Sequence, residues 1–250
     1  MERGELIRFL ADELKVSDVQ DYCPNGLQVE GSSSVELIAC GVTASQAFID
    51  KAIACGADTL LVHHGYFWRG EEPVISGIKK QRLKKILEND LNLLAYHLPL
   101  DLHPIIGNNA QLAKVLGFRP EGRFGRQNLG WFGTVEKAEV ACVGELAAHI
   151  EKVLGRPPML VGDVDASIGR IAWCSGAAQG MLTDAVNVGS TVFLSGEISE
   201  QTVHEAREYG VAYLACGHHA TETYGIRALG QLLTEKFGVN HIFFDVYNPV

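Results

Sequence analysis

Two adjacent histidines, His63 and His64, close the apolar run at residues 59–62, and a third, His97, follows the apolar run 91–96 in the same way. A fourth, His218, comes directly after the run 211–216 and Gly217. Three strand ends therefore present imidazole, and two of them add an acid four residues on, Asp101 after His97 and Glu222 after His218. Neutral imidazole nitrogens and carboxylate oxygens suit borderline divalent ions such as zinc, iron or manganese. Neighbouring side chains on an extended strand point to opposite sides, so His63 and His64 do not readily share one ion. Two ions side by side would use both, with Asp101 as the candidate bridging carboxylate. If a helix starts at His218, Glu222 lies on the same face one turn on, while His219 points elsewhere and is the weaker ligand. A single histidine at a strand end is more often structural, but five or six such residues at strand ends favour a metal centre.

Strands that end on ligands in this way belong to open parallel sheets, where ligand sites gather beyond the carboxyl ends of the strands. Short apolar runs at 37–42, 59–62, 91–96, 171–174, 191–194, 211–216 and 242–246 read as strands. They alternate with helical patterns at 5–14, 45–55, 78–89, 109–116, 144–154, 178–188, 200–209 and 223–236. Continuous apolar strands alternating with helices predict an α/β fold with a largely parallel sheet covered on both faces. Residues 124–161 are less regular and are expected to carry strands that leave the main sheet. Residues 21–26, with Pro24 and the pair Asn25-Gly26, read as a tight bend.

An internal repeat sharpens this picture. Residues 38–64 align without a gap to residues 171–197, and seven of the 27 positions are identical. Both copies read as strand, helix, glycine, strand, and each is followed by a histidine with an acid four residues later. The expectation is two similar α/β lobes, 1–125 and 126–250, related by duplication and facing a metal-binding cleft, with the C-terminal segment a candidate to pack back on the first lobe. In this register Glu197 occupies the position of His64, which makes it a candidate proton-transfer or supporting group.

Composition limits the function classes. The chain has 250 residues, 47% hydrophobic and 20% charged, with a formal net charge of −9. Phosphate-backbone binding needs clustered Lys and Arg, so direct nucleic-acid binding is not expected. The densest basic stretch, Lys79 to Lys85, reads as the solvated face of a helix. No apolar run reaches the roughly 20 residues of a membrane span. Six scattered cysteines without a CxxC pair fit a reducing, cytoplasmic setting. Phosphate loops of the GxxxxGK[ST] or GxGxxG type are absent, and Ser195 lacks a nucleophile-elbow context. Tyr66, Phe67 and Trp68 follow the paired histidines and read either as a packed loop anchor or as a stacking surface for a planar base.

Several motifs in this order resemble one family. They are Asp21-Tyr22-Cys23-Pro24-Asn25-Gly26, Gly41-Val42-Thr43-Ala44-Ser45, His63-His64-Gly65-Tyr66-Phe67-Trp68, His97-Leu98-Pro99-Leu100-Asp101, Gly107-Asn108-Asn109 and Gly217-His218-His219-Ala220-Thr221-Glu222. Together they resemble the Nif-three-like family, whose members are called GTP cyclohydrolase I type 2 homologues. The resemblance implies two α/β lobes and a dinuclear metal site on His63, His64, Asp101, His218 and Glu222. It places His97 close by as a substrate or proton-transfer residue, and it implies a toroidal homohexamer. The function it implies is a metal-dependent hydrolase acting on a nucleotide-like small molecule. The alternative is a non-enzymatic metal-binding scaffold, metal-delivery protein or regulatory protein.

Overall fold

Apolar strands buried on both faces need helices on both sides, and the chain is built this way twice. The computed structural model describes residues 1–137 and 139–250. In chain order its first part contains α1 (Arg3–Glu13), β1 (Gly26–Val29), β2 (Leu37–Thr43), α2 (Gln46–Ala54), β3 (Thr59–His64), α3 (Gly77–Glu88), β4 (Asn92–Ala95) and α4 (Leu98–Leu102). There follow α5 (Asn108–Leu116), β5 (Phe118–Phe124), β6 (Gly130–Val135), α6 (Val143–Leu154), β7 (Met159–Val161) and β8 (Arg170–Cys174). The chain closes with α7 (Leu182–Asn187), β9 (Ser190–Ser195), α8 (Glu200–Tyr209), β10 (Ala212–Ala215), α9 (His218–Phe237) and β11 (Asn240–Phe243). No helix among the described residues is long and apolar enough to cross a membrane.

Two compact units result. The first comprises Met1–Gly107 with Gly225–Tyr247, the second Asn108–Tyr224 with Asn248–Val250. The second unit thus begins at Asn108, upstream of the 125/126 division expected from the repeat, and the segment Gly225–Tyr247 is part of the first.

The first unit has a five-stranded sheet in the order β1-β4-β3-β2-β11. Strands β4, β3, β2 and β11 run parallel and β1 pairs antiparallel with β4. Alternation along the strands sorts the core into two layers. Ile38, Cys40, Leu61 and Leu94 pack against Leu6 and Leu10 of α1 and Ile226, Leu229 and Leu233 of α9. Their neighbours Ala39, Leu60, Val62 and Leu93 pack against Phe48, Ile49, Leu83 and Ile86 of α2 and α3. The Ser45 hydroxyl caps α2 by accepting the Phe48 N–H at 3.3 Å.

The second unit has a six-stranded sheet, β5-β6-β8-β9-β10-β7. Its parallel centre, β8-β9-β10, is flanked by antiparallel β6 and β5 on one side and antiparallel β7 on the other. Ile171, Trp173, Val192, Leu194 and Leu214 face Leu112, Leu116, Leu146 and Ile150 of α5 and α6. Ala172, Phe193 and Tyr213 face Leu182, Ala185 and Ala206 of α7 and α8. The order β2-α2-β3-α3-β4-α4 of the first unit recurs along the chain as β8-α7-β9-α8-β10-α9, of which α9 begins in the second unit and continues into the first from Gly225.

Three local expectations change. The strands within 124–161, β6 and β7, do not leave the sheet, because they pair into it with β8 and β10. The final strand lies at Asn240–Phe243 rather than 242–246 and pairs with β2. The helix expected at 223–236 starts five residues earlier, at His218, after Gly217 turns the chain with φ +98°.

Candidate functional site

In the first unit β3 and β4 are parallel neighbours, so their carboxyl ends deliver His63, His64 and His97 to one edge of the sheet. One ring nitrogen from each of the three lies within 4.8 Å of the others. His63 and His64 are the last two residues of β3, yet their ring centroids are only 4.6 Å apart at an interplanar angle of 42°. At a strand terminus the alternation of side chains no longer holds them to opposite faces. The fully buried His63 donates Nδ1–H to the Tyr96 carbonyl (2.9 Å), which turns Nε2 towards Asp101, 3.6 Å from its Oδ2. His64 Nδ1 lies 3.2 Å from the Thr43 hydroxyl. Asp101 is buried on α4, a short helix that begins at Leu98 with Pro99 in its first turn.

His97 has a dedicated acidic partner. Its Nδ1 is 3.0 and 3.2 Å from the two oxygens of Asp21, and its backbone N–H donates to Asn25 Oδ1 at 2.7 Å. Asp21 Oδ2 also accepts from the Leu98 N–H and from Asn25 Nδ2, both at 2.9 Å. Burial by itself would raise the Asp21 pKa, but the hydrogen bonds from His97 and Asn25 outweigh it and hold the carboxyl well below its ordinary value of 3.8. The same surroundings push the nearby Cys23 thiol up to about 12, through burial first and the Asp21 charge second.

In the second unit His218 and Glu222 occupy the first turn and a half of α9. His218 Nε2 is 3.1 Å from Glu222 Oε2, and its Nδ1 is 2.7 Å from Glu197 Oε1 in the loop after β9. Burial would lower the His218 pKa, but the hydrogen bonds and charges of Glu222 and Glu197 prevail and raise it to about 9 in the metal-free chain. Glu197 is itself anchored, because its carbonyl accepts the Tyr213 hydroxyl at 2.5 Å. Gly176, with φ +66°, lies against this pair: a Cβ there would overlap Glu222 Oε1 and come within 3.3 Å of His218 Nε2. Its N–H donates to Thr221 Oγ1 at 3.0 Å, tying the turn after β8 to α9.

The structure thus brings His63, His64, His97 and Asp101 together in the first unit, and His218, Glu222 and Glu197 together in the second. His219 donates its backbone N–H to the Val250 carbonyl at 3.0 Å. Sequence reasoning missed two contributors. Asp21 lies in a segment that reads as a bend and as a family motif, with no role given to its carboxylate, 76 residues from His97. Gly176 carries no signal beyond being a glycine after a strand. Both sets of donors suit a divalent ion, with imidazoles whose Nδ1 is engaged and carboxylates that are largely buried.

Residues 1–249 match the sequence model of the Duf34/NIF3 (NGG1p interacting factor 3) family. The chain belongs to this family. Among NIF3 relatives it is 52% identical over 239 residues to a GTP cyclohydrolase 1 type 2 homolog of Pseudomonas aeruginosa, covering 94% of each chain. It is 47% identical to the corresponding homolog of Escherichia coli K12 over 250 residues, the full length of both. Among solved structures it resembles protein ybgI, with a TM-score of 0.96, 47% identity and full coverage of both chains.

Proposed function

We propose that this NIF3 protein holds two divalent metal ions on His63, His64, Asp101, His218 and Glu222 and acts as a hydrolase on a nucleotide-like small molecule. The observation that carries the reading is the pair of imidazole–carboxylate sets, in which His63 and His218 each have Nδ1 committed and Nε2 turned to a buried carboxylate. That arrangement orients a ligand imidazole and fixes its tautomer. Divalent ions, when bound, supply Lewis acidity and bring the pKa of water towards neutrality.

The chain's own residues supply the rest. Glu197 orients His218 through Nδ1. His97, its Nδ1 held by Asp21, offers Nε2 to take a proton from the attacking water and return it to the leaving nitrogen or oxygen. The nucleotide assignment follows the name of the Pseudomonas and Escherichia relatives. The ring-shaped homohexamer implied by the family resemblance is part of the same reading, and sedimentation velocity tests it directly.

The deciding experiment is metal content per protomer by elemental analysis, on wild type and on a His64→Ala/His218→Ala double variant, both reloaded with zinc, manganese or iron. Two equivalents in the wild type and clear loss in the variant are expected, with GTP turnover above a His64→Ala control. Little metal in the reloaded wild type would mean the histidines are structural. Full metal without turnover of any nucleotide, together with ready transfer to an apo-acceptor, would favour the metal-delivery alternative.

A further inference from the structure

The loop after β3 carries a feature that metal binding does not require. Phe67 is an aromatic residue with φ +66°, a left-handed conformation that costs a side chain of this size and survives only where the surroundings enforce it. The enforcement is visible. The Arg69 N–H donates to the Tyr22 carbonyl at 2.7 Å, which ties this loop to the 21–25 turn. Trp68 Nε1 donates to the Gly65 carbonyl at 3.3 Å, and the Trp68 N–H donates to Glu71 Oε2 at 3.1 Å. Lys79 holds Glu71 at 3.3 Å while its ammonium sits 5.2 Å from the Phe67 ring centroid.

These ties set two aromatic rings beside the histidine cluster of the first unit. Tyr22 and Trp68 have centroids 5.6 Å apart at 37°, and each lies 5.1 Å from the His97 ring. Trp68 is 6.0 Å from His64. The tyrosine is 52% exposed, although an aromatic residue of this size ordinarily hides more of its surface. The indole Nε1–H of Trp68 is committed to the Gly65 carbonyl, so what the indole has left to offer a ligand is its π-face. The two rings are too close to sandwich a third ring between them and act instead as one tilted wall.

We propose that Tyr22 and Trp68 form a stacking shelf that selects a ligand with a planar heteroaromatic base and presents that base to the histidine cluster. This rests on the hydrolase reading above and adds to it the residues that recognise the base. Stacking on an aromatic face tolerates any base, so the shelf distinguishes base-bearing from base-free phosphates rather than one purine from another.

The test uses the metal-loaded full chain, with elemental analysis run on every sample. Binding of GTP, ATP and inorganic triphosphate is measured by calorimetry for wild type, Trp68→Ala, Trp68→Phe and Tyr22→Ala. Trp68→Ala and Tyr22→Ala are expected to weaken both nucleotides by roughly tenfold or more while leaving triphosphate binding and metal content unchanged. Trp68→Phe, which keeps a π-face, is expected to retain most of the affinity. Three results would overturn the shelf: nucleotides that bind metal-loaded wild type no more tightly than triphosphate, undiminished nucleotide affinity in Trp68→Ala and Tyr22→Ala, or equal losses for nucleotide and triphosphate. Absence of metal from the reloaded wild type is a different failure and sinks the metal reading itself.

Discussion

Gly176 and Gly210 share the same backbone angle, φ +66°, but not the same surroundings, which allows the packing around Glu222 to be measured by difference. At Gly210, the C-cap of α8, a Cβ would meet nothing within 4 Å. Gly210→Ala therefore reports the left-handed backbone cost alone, roughly 1–2 kcal/mol. Gly176→Ala carries that cost and also drives a methyl group into Glu222 Oε1, so the buried carboxylate must move away from His218. Losing a contact to a buried charged group adds on the order of 1–3 kcal/mol. For a chain of this size each kcal/mol lowers the melting temperature by roughly 2–4 °C. Metal-free Gly176→Ala is thus expected to melt several degrees below metal-free Gly210→Ala. Calorimetry on the two variants measures the stability difference, and elemental analysis after reloading measures the consequence for the site: Gly176→Ala is expected to lose metal and Gly210→Ala to keep it. Equal melting shifts together with full metal content in both would refute the account of Glu222 held against a bare backbone.

Two other perturbations address the acids that stand behind histidines. Glu197→Gln keeps a hydrogen-bonding oxygen near His218 Nδ1 but removes the charge, so metal affinity should fall by about 10–100-fold in chelator competition while stoichiometry at saturating metal is retained; unchanged affinity would detach Glu197 from the site. Asp21 has a depressed folded-state pKa, so its contribution to stability is present above the unfolded value near 3.8 and is lost as pH falls through the folded value. Asp21→Asn is therefore expected to lower stability at neutral pH and to make the acid limb of the denaturation profile shallower than wild type, and parallel profiles below pH 4 would show that the Asp21–His97 pair contributes nothing.

Much of this protein is legible from local pattern. Apolar runs of the right length marked β2, β3, β4, β8, β9 and β10, because strands buried on both faces of a parallel sheet are continuously apolar. Their ends marked His63, His64, His97 and His218, since an open parallel sheet offers its ligand sites at the carboxyl edge. The spacings from His97 to Asp101 and from His218 to Glu222 matched one turn of helix: His218 and Glu222 both lie on α9, while His97 immediately precedes α4, which carries Asp101. What local pattern could not decide is which distant residue stands behind each histidine. Asp21 reaches His97 across 76 residues and Glu197 reaches His218 across 21, and neither separation has a periodic signature. The antiparallel strands β1 and β5 escaped, and β6 and β7 were expected only as unplaced strands within 124–161, for a related reason. Gly26–Val29 and Met159–Val161 are too short to show a period, and Phe118–Phe124 is polar through its centre. Strand β11 pairs with β2, some two hundred residues earlier, through backbone hydrogen bonds whose partner no side-chain pattern specifies. Residue type and spacing determined what chemistry this chain offers, because ligand atoms and strand ends are local properties. Tertiary packing alone decided how each imidazole is oriented, because a hydrogen-bond partner is chosen by proximity in space.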